Sequence, residues 1–87
     1  METILVVMAR YLIHHRHDAD ECAAAFAAWK GFTSPLRRGT TIASCLAGGH
    51  EIWWEVTAAG ATAALAQLPH FVAQRSEAIP VNDVRVP

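Results

Sequence analysis

The chain has 87 residues, with seven Lys or Arg residues against eight Asp or Glu residues. This length predicts a single domain over residues 1–87, and the balanced charge argues against a nucleic-acid-binding surface. The apolar run at residues 4–9 is too short to span a membrane and has no basic segment before it, so we expect a cytoplasmic protein with no membrane partner.

The first predicted element is a strand over residues 3–14, which is rich in Ile, Leu, Val and Met. Both of its alternating faces are largely apolar, and a strand of this kind must be covered on both sides. Arg10 interrupts the apolar pattern. A charge at that position predicts either an ion pair, for example with Asp83, or a contact with the carboxylate of a ligand.

The first helix is predicted to begin near Asp18, because Glu21 follows three residues later as a variant of the capping box. Gly31 is positioned to end this helix. The residues spaced to lie on a sheet are Cys22, Phe26 and Trp29.

A second strand over residues 40–47 and a third over residues 50–56 flank Gly48-Gly49. This glycine pair predicts a tight hairpin, because glycine tolerates the positive φ angles that such turns require. The third strand alternates between two faces. One face carries His50, Ile52, Trp54 and Val56, and the other carries Glu51, Trp53 and Glu55.

The second helix is predicted to follow a Thr57 cap, to carry Leu65 and Leu68, and to break at Pro69. Residues 69–75 form a short extra turn in this interpretation, since proline suits a first helical position. The last strand is predicted over residues 81–86.

The order β-α-β-β-α-β is typical of an α+β, ferredoxin-like fold. It predicts an antiparallel four-stranded sheet in the order 4-1-3-2, with two helices on one face. The other face then needs a partner, so we expect a homodimer that forms a dimeric α+β barrel.

The stretch over residues 36–71 carries short motifs: LRRG at 36–39, AGGHEIWWEV at 47–56 and LAQLPHF at 65–71. It resembles the muconolactone isomerase group and the wider set of small dimeric α+β barrels, which includes YciI-like proteins and cofactor-free monooxygenases. The resemblance implies a small organic acid or an aromatic-derived molecule as substrate, isomerase or cofactor-independent oxygenase chemistry, and no cofactor.

Split βαβ connectivity predicts that all five histidines lie at one edge of the sheet. They are His14, His15, His17, His50 and His70. Three interpretations stay open for this edge: a solvated rim, a pocket in which one histidine is a general acid or base, and a metal site that adds Asp or Cys22 to two or three histidines.

The leading hypothesis is a pocket at the histidine edge that binds, and converts, a small organic molecule. Arg10 would orient an acidic group, and His14 or His50 would move a proton. The residues expected to line the pocket are Phe26, Trp54 and His70. No metal and no cofactor are assigned. The alternative is a non-catalytic dimer that senses a ligand or serves assembly.

Overall fold

The computed structural model describes residues 7–87. It has an α+β architecture with one four-stranded antiparallel sheet in the order β2-β3-β1-β4, which reads 4-1-3-2 from the opposite edge. The strands are β1 (Ala9–Arg16), β2 (Ile42–Ala43), β3 (Glu51–Ala58) and β4 (Ser76–Pro80).

Three short helices complete the fold: α1 (Cys22–Ala27), α2 (Ala61–Leu65) and α3 (His70–Ala73). A 3-10 turn at Ala19–Glu21 leads into α1, and the Asp18 amide donates a hydrogen bond to the Glu21 carboxylate at 3.0 Å. This contact confirms the predicted capping box, but the α-helix itself begins only at Cys22 and ends at Ala27, before the predicted end at Gly31. The predicted break at Pro69 is also confirmed, since it separates α2 from α3.

The core lies on the helix side of the sheet. Ile13, Ile52, Trp54 and Val56 point there because β1 and β3 pair from Ala9↔Ala58 to Arg16↔Glu51, which fixes the face of each side chain. The helices and the segments that follow them complete the core with Ala25, Ala64, Leu68 and Val72. The predicted alternation of the third strand is therefore confirmed.

The opposite side of the sheet, called the open face below, mixes charge with apolar surface. Its charged members form ion pairs, among them Arg16 with Glu51 at 2.8 Å. Its apolar members are Leu12 and Trp53, both half-buried, and the more exposed Ile42 and Ile79. No helix of residues 7–87 packs on this face.

The first two predicted strands have the wrong extent. The described part of the first strand begins at Ala9, continues to Arg16 rather than stopping at residue 14, and leaves Val7 and Met8 exposed; positions 3–6 lie outside the described residues. The second strand keeps two residues instead of residues 40–47, because the chain turns into a 3-10 segment at Cys45–Ala47.

The tight hairpin predicted at Gly48-Gly49 is wrong. The connection from Ser44 to Glu51 is longer, and Ser44 closes it by accepting from the Glu51 amide at 3.1 Å. Gly48 has the expected positive φ of 88°. Gly49 is needed for a different reason: a Cβ there would collide with the Ser44 side chain.

The last strand is predicted at residues 81–86 and instead lies at Ser76–Pro80. β4 pairs with β1 up to Tyr11↔Pro80, and the Val81 amide still reaches the Arg10 carbonyl at 3.1 Å. Val84 and Val86 lie outside β4 and are exposed.

The predicted cap of the second helix is also wrong. Thr57 is a β3 residue, since β3 runs two residues beyond the predicted end, and Gly60 precedes α2. Within residues 7–87, no helix has the length and apolar character needed to cross a membrane.

Candidate functional site

Two neighbouring histidines of β1 and its exit lie on the buried side of the sheet. His15 is fully buried, and His17 keeps the same side although it follows the strand, because its amide donates to the His50 carbonyl at 3.0 Å and so extends the β1–β3 pairing. Cys22, at the start of α1, lies against them. We call His15, His17, Cys22 and His50 the histidine–cysteine cluster.

Hydrogen bonds fix the proton positions along this cluster. His15 Nδ1 lies 3.1 Å from the Val72 carbonyl oxygen, which only accepts, so Nδ1 carries the hydrogen. In the neutral ring His15 Nε2 then accepts from His17 Nδ1 at 2.9 Å. The other nitrogen of neutral His17, Nε2, is left with its lone pair and lies 3.3 Å from Cys22 Sγ.

His50 completes the cluster from the start of β3. Its Nδ1 lies 3.3 Å from Cys22 Sγ, and its ring is tilted against that of His17 at 5.6 Å between centroids. The three potential ligand atoms, one from each of His17, Cys22 and His50, lie within 4.8 Å of one another. Cys22 and His50 are half-buried, so the cluster is open on one side and has the residue types that hold a metal ion.

Burial lowers the pKa of the His15 imidazole, because the charged ring is poorly solvated there, and neighbouring His17 and Arg75 lower it further against the opposing effect of the Val72 hydrogen bond. The folded state therefore favours the neutral form of the His15 imidazole.

A pH-dependent stability follows. The unfolded chain gains a proton on His15 near pH 6.5, whereas the folded chain does so only at lower pH, so the free energy of unfolding should fall as pH drops below about 6.5, by at most about 1.4 kcal/mol per pH unit for one proton. Urea denaturation of chelator-treated protein between about pH 5 and about pH 8, a window that brackets the ordinary histidine pKa, measures the slope.

The matched variants are His15→Gln, which should flatten that slope, and His70→Gln, which should leave it unchanged because His70 is exposed. A slope that survives in His15→Gln would assign the effect to another group.

A second concave feature lies under α1. This tryptophan cleft has a volume of about 220 Å³ and is lined by Phe26, Trp29, Leu36, Arg37, Arg38, Gly39, Thr41 and Trp54. The rings of Trp29 and Trp54 meet at 5.8 Å between centroids. Trp54 forms the floor, at 8% exposure, and Phe26 lies at the rim, at 55% exposure.

The structure places the predicted residues Arg10 and His14 on the open face, away from the cleft. Arg10 binds Glu55 and lies 2.9 Å from the Asp83 carboxylate, which confirms the predicted ion pair, although Asp83 follows β4 rather than belonging to it. These hydrogen bonds raise the pKa of the Arg10 guanidinium above its usual value. His14 stacks on Trp53 at 5.3 Å.

His14 and His50 lie at the same end of the sheet, as predicted, since Arg16 is paired with Glu51. They are on opposite faces, however, so Arg10, His14 and His50 do not line one pocket. His14 instead borders a shallow groove of about 460 Å³ on the β4 side together with two arginines, of which Arg16 is already paired with Glu51.

Of the three residues predicted to line a pocket at the histidine edge, two line the tryptophan cleft instead. Phe26 and Trp54 both line the cleft, and His70 does not. Phe26 is also predicted to pack on the sheet, but Ala25 is the buried residue of α1. The short helix begins late and turns its Phe26 side toward the cleft mouth.

The spacing of His15 and His17 is an HxH pattern, which puts both rings on one face only as long as the strand continues. The predicted end of the first strand at residue 14 places this pair in a turn, so it carries little weight for a metal site. Arg37 and Arg38 are predicted to lie in a solvated loop, and the structure instead places them at the lining of the cleft.

No protein-family model, curated protein or solved structure matches this chain. The resemblance to the muconolactone isomerase group therefore stays a prediction, and the function has to be argued from the two sites themselves.

Proposed function

We propose that the protein binds a small organic acid with a flat apolar body in the tryptophan cleft. The observation that carries this proposal is that one cleft is lined by two tryptophans in ring contact, Trp29 and Trp54, and by the arginines Arg37 and Arg38. Aromatic walls accept an apolar ring, and arginine binds a carboxylate through two parallel hydrogen bonds.

The size of the cleft narrows the ligand class. At about 220 Å³ it is smaller than the roughly 300–1,000 Å³ typical of sites for drug-sized molecules. A single aromatic ring with one carboxylate suits this volume.

The charges at the cleft favour an anion. Within residues 7–87, neither Arg37 nor Arg38 forms an ion pair with a carboxylate, in contrast to Arg10, Arg16 and Arg75. Arg38 also has a positive φ of 67°, a conformation that costs a non-glycine residue on the order of 1–3 kcal/mol and is common at ligand sites.

The residues that line the tryptophan cleft support ligand binding better than they support catalysis. The groups that face the cleft are aromatic, aliphatic, hydroxyl and guanidinium groups, and the histidines predicted as acid or base lie elsewhere. A ligand-sensing or assembly role is thus better supported than the isomerase or oxygenase reaction, for which His14, His50 and Arg10 stay the predicted catalytic residues.

The assembly belongs to the same proposal. The β-α-β-β-α-β order with a 2-3-1-4 sheet supports a ferredoxin-like domain. The apolar part of the open face supports a homodimer that closes into an α+β barrel, because such a surface gains from being covered by a second copy.

Benzoate is the simplest probe of the cleft. It should quench the tryptophan fluorescence of the protein in a saturable manner, and uncharged benzamide should bind more weakly. Arg38→Gly should lower the benzoate affinity by about 10–100-fold, the range expected for loss of a hydrogen bond to a charged group. Its melting temperature should be unchanged or higher, because glycine adopts the positive φ without strain.

Arg85→Gly is the matched control, since Arg85 is an exposed arginine outside the cleft, and it should bind benzoate like the wild type. Equal affinity for benzoate and benzamide, or no loss in Arg38→Gly, would contradict the anion site.

A further inference from the structure

We propose that His17, Cys22 and His50 form a binding site for a divalent transition metal ion of the Zn²⁺ class. The ligand atoms are His17 Nε2, Cys22 Sγ and His50 Nδ1. This site is distinct from the tryptophan cleft and does not depend on the function proposed for it.

Two of the three distances between these atoms are close to those around a tetrahedral ion. With Zn–N of about 2.0–2.1 Å and Zn–S of about 2.3 Å, two ligands of such an ion lie roughly 3.3–3.6 Å apart. Cys22 Sγ is 3.3 Å from His17 Nε2 and 3.3 Å from His50 Nδ1. An ion could therefore replace the sulfur–nitrogen hydrogen bonds if the side chains of His17 and His50, whose ligand atoms lie within 4.8 Å of each other, rotate toward it.

The proton arrangement prepares His17 as a ligand. His17 Nδ1 donates to His15 Nε2, and His15 Nδ1 is held by the Val72 carbonyl, so the His17 Nε2 lone pair points toward Cys22. A ligating histidine usually has its other ring nitrogen fixed by such an outer partner. The buried His15, which does not line the tryptophan cleft, would thus orient His17 as a metal ligand.

Rigid elements deliver the ligands from three parts of the chain. His17 follows β1 and is 3% exposed, Cys22 begins α1, and His50 directly precedes β3. The half-buried Cys22 and His50 leave one side of the cluster open. Three protein ligands with an open fourth position are the arrangement in which zinc keeps a water or a second ligand.

The donor set selects the class of ion. One thiolate and two imidazoles suit Zn²⁺, Co²⁺ and copper, whereas Mg²⁺ and Ca²⁺ prefer oxygen ligands.

Cobalt titration tests the site directly, because a Co²⁺–thiolate bond gives a charge-transfer band in the near ultraviolet. Chelator-treated protein should bind one equivalent of Co²⁺ with such a band, and Zn²⁺ should displace it. Cys22→Ser should abolish the band. His50→Gln should lower the Co²⁺ affinity by more than about 100-fold. Loss of a residue that only orients a ligand costs at most about 100-fold, so the larger loss is the one expected of a direct ligand.

Cys45→Ser and His70→Gln are the controls. Cys45 is the other free thiol and is half-buried like Cys22, and His70 is an exposed histidine outside the cluster. Both variants should bind Co²⁺ like the wild type. A wild-type protein without the band, or a band that persists in Cys22→Ser, would overturn the proposal.

Thiol modification of the wild type keeps the test valid if a variant does not fold. Zn²⁺ should protect Cys22 from an alkylating reagent while Cys45 in the same molecule still reacts, as read by peptide mass. Equal rates at Cys22 with and without Zn²⁺ would overturn the proposal and leave the cluster as a metal-free thiol–imidazole pair.

Discussion

Trp54→Ala should lower the free energy of unfolding by about 3–5 kcal/mol, the usual cost of truncating a buried tryptophan. Trp54 lies in central strand β3 at 8% exposure. Its ring contacts Trp29 at 5.8 Å and lies edge-on to His15 at 6.3 Å. Removal leaves a cavity that an antiparallel strand paired on both sides cannot close, so the unfolding midpoint in urea should shift at an unchanged slope.

Trp53→Ala is the matched control, with the same residue type one position away on the opposite face. Trp53 is half-buried and contacts the His14 ring at 5.3 Å. Measured at low protein concentration, its loss should cost about 1 kcal/mol, the size of a single aromatic contact. Equal losses for the two variants would mean that both faces of β3 are packed within one chain.

The faces of β3 could be predicted from sequence because a period of two needs no knowledge of the partner strands. Ile52 and Trp54 alternate with Glu51 and Trp53, and only one set can face a core. The break at Pro69 was equally local, since it depends on the backbone chemistry of one residue.

The position of the last strand could not be found in the same way. Residues 81–86 are rich in valine, which favours strands, yet pairing is decided by the partner strand, and the described part of β1 pairs with Ser76–Pro80. The less strand-like segment Ser76–Pro80 forms β4 because it directly follows α3 and reaches β1 first. Long-range pairing here overrides local propensity.

The candidate site, like the fold, has some features that could be predicted from sequence and others that could not. The tendency of histidines to gather at one end of the sheet followed from connectivity, and His14, His15, His17 and His50 lie there. Which face His15 and His17 occupy depends on how far β1 continues, because its extension to Arg16 puts both on the buried side, opposite His14. The end of a strand depends on its partners, so the sequence alone could not separate His14 from the histidine–cysteine cluster.

The open face leads to the last prediction: at micromolar concentration the protein should be a homodimer, and Leu12→Lys should be a monomer. Leu12 lies at the middle of this face, beside Glu55 on β3 and Ile79 on β4. A lysine there can pair with Glu55 in the single chain, so the fold should survive. In a two-fold interface the new charge appears twice and is removed from water, which opposes association.

Light scattering coupled to size exclusion measures the mass of each form. Val84→Lys is the control, because Val84 is 83% exposed and lies outside the sheet, so this variant should stay dimeric. A wild-type monomer at every concentration would leave Trp53 and Leu12 in contact with water and would remove the barrel from the proposal. A dimer that persists in Leu12→Lys would move the interface to another surface, of which the exposed Leu46 after β2 is the next candidate.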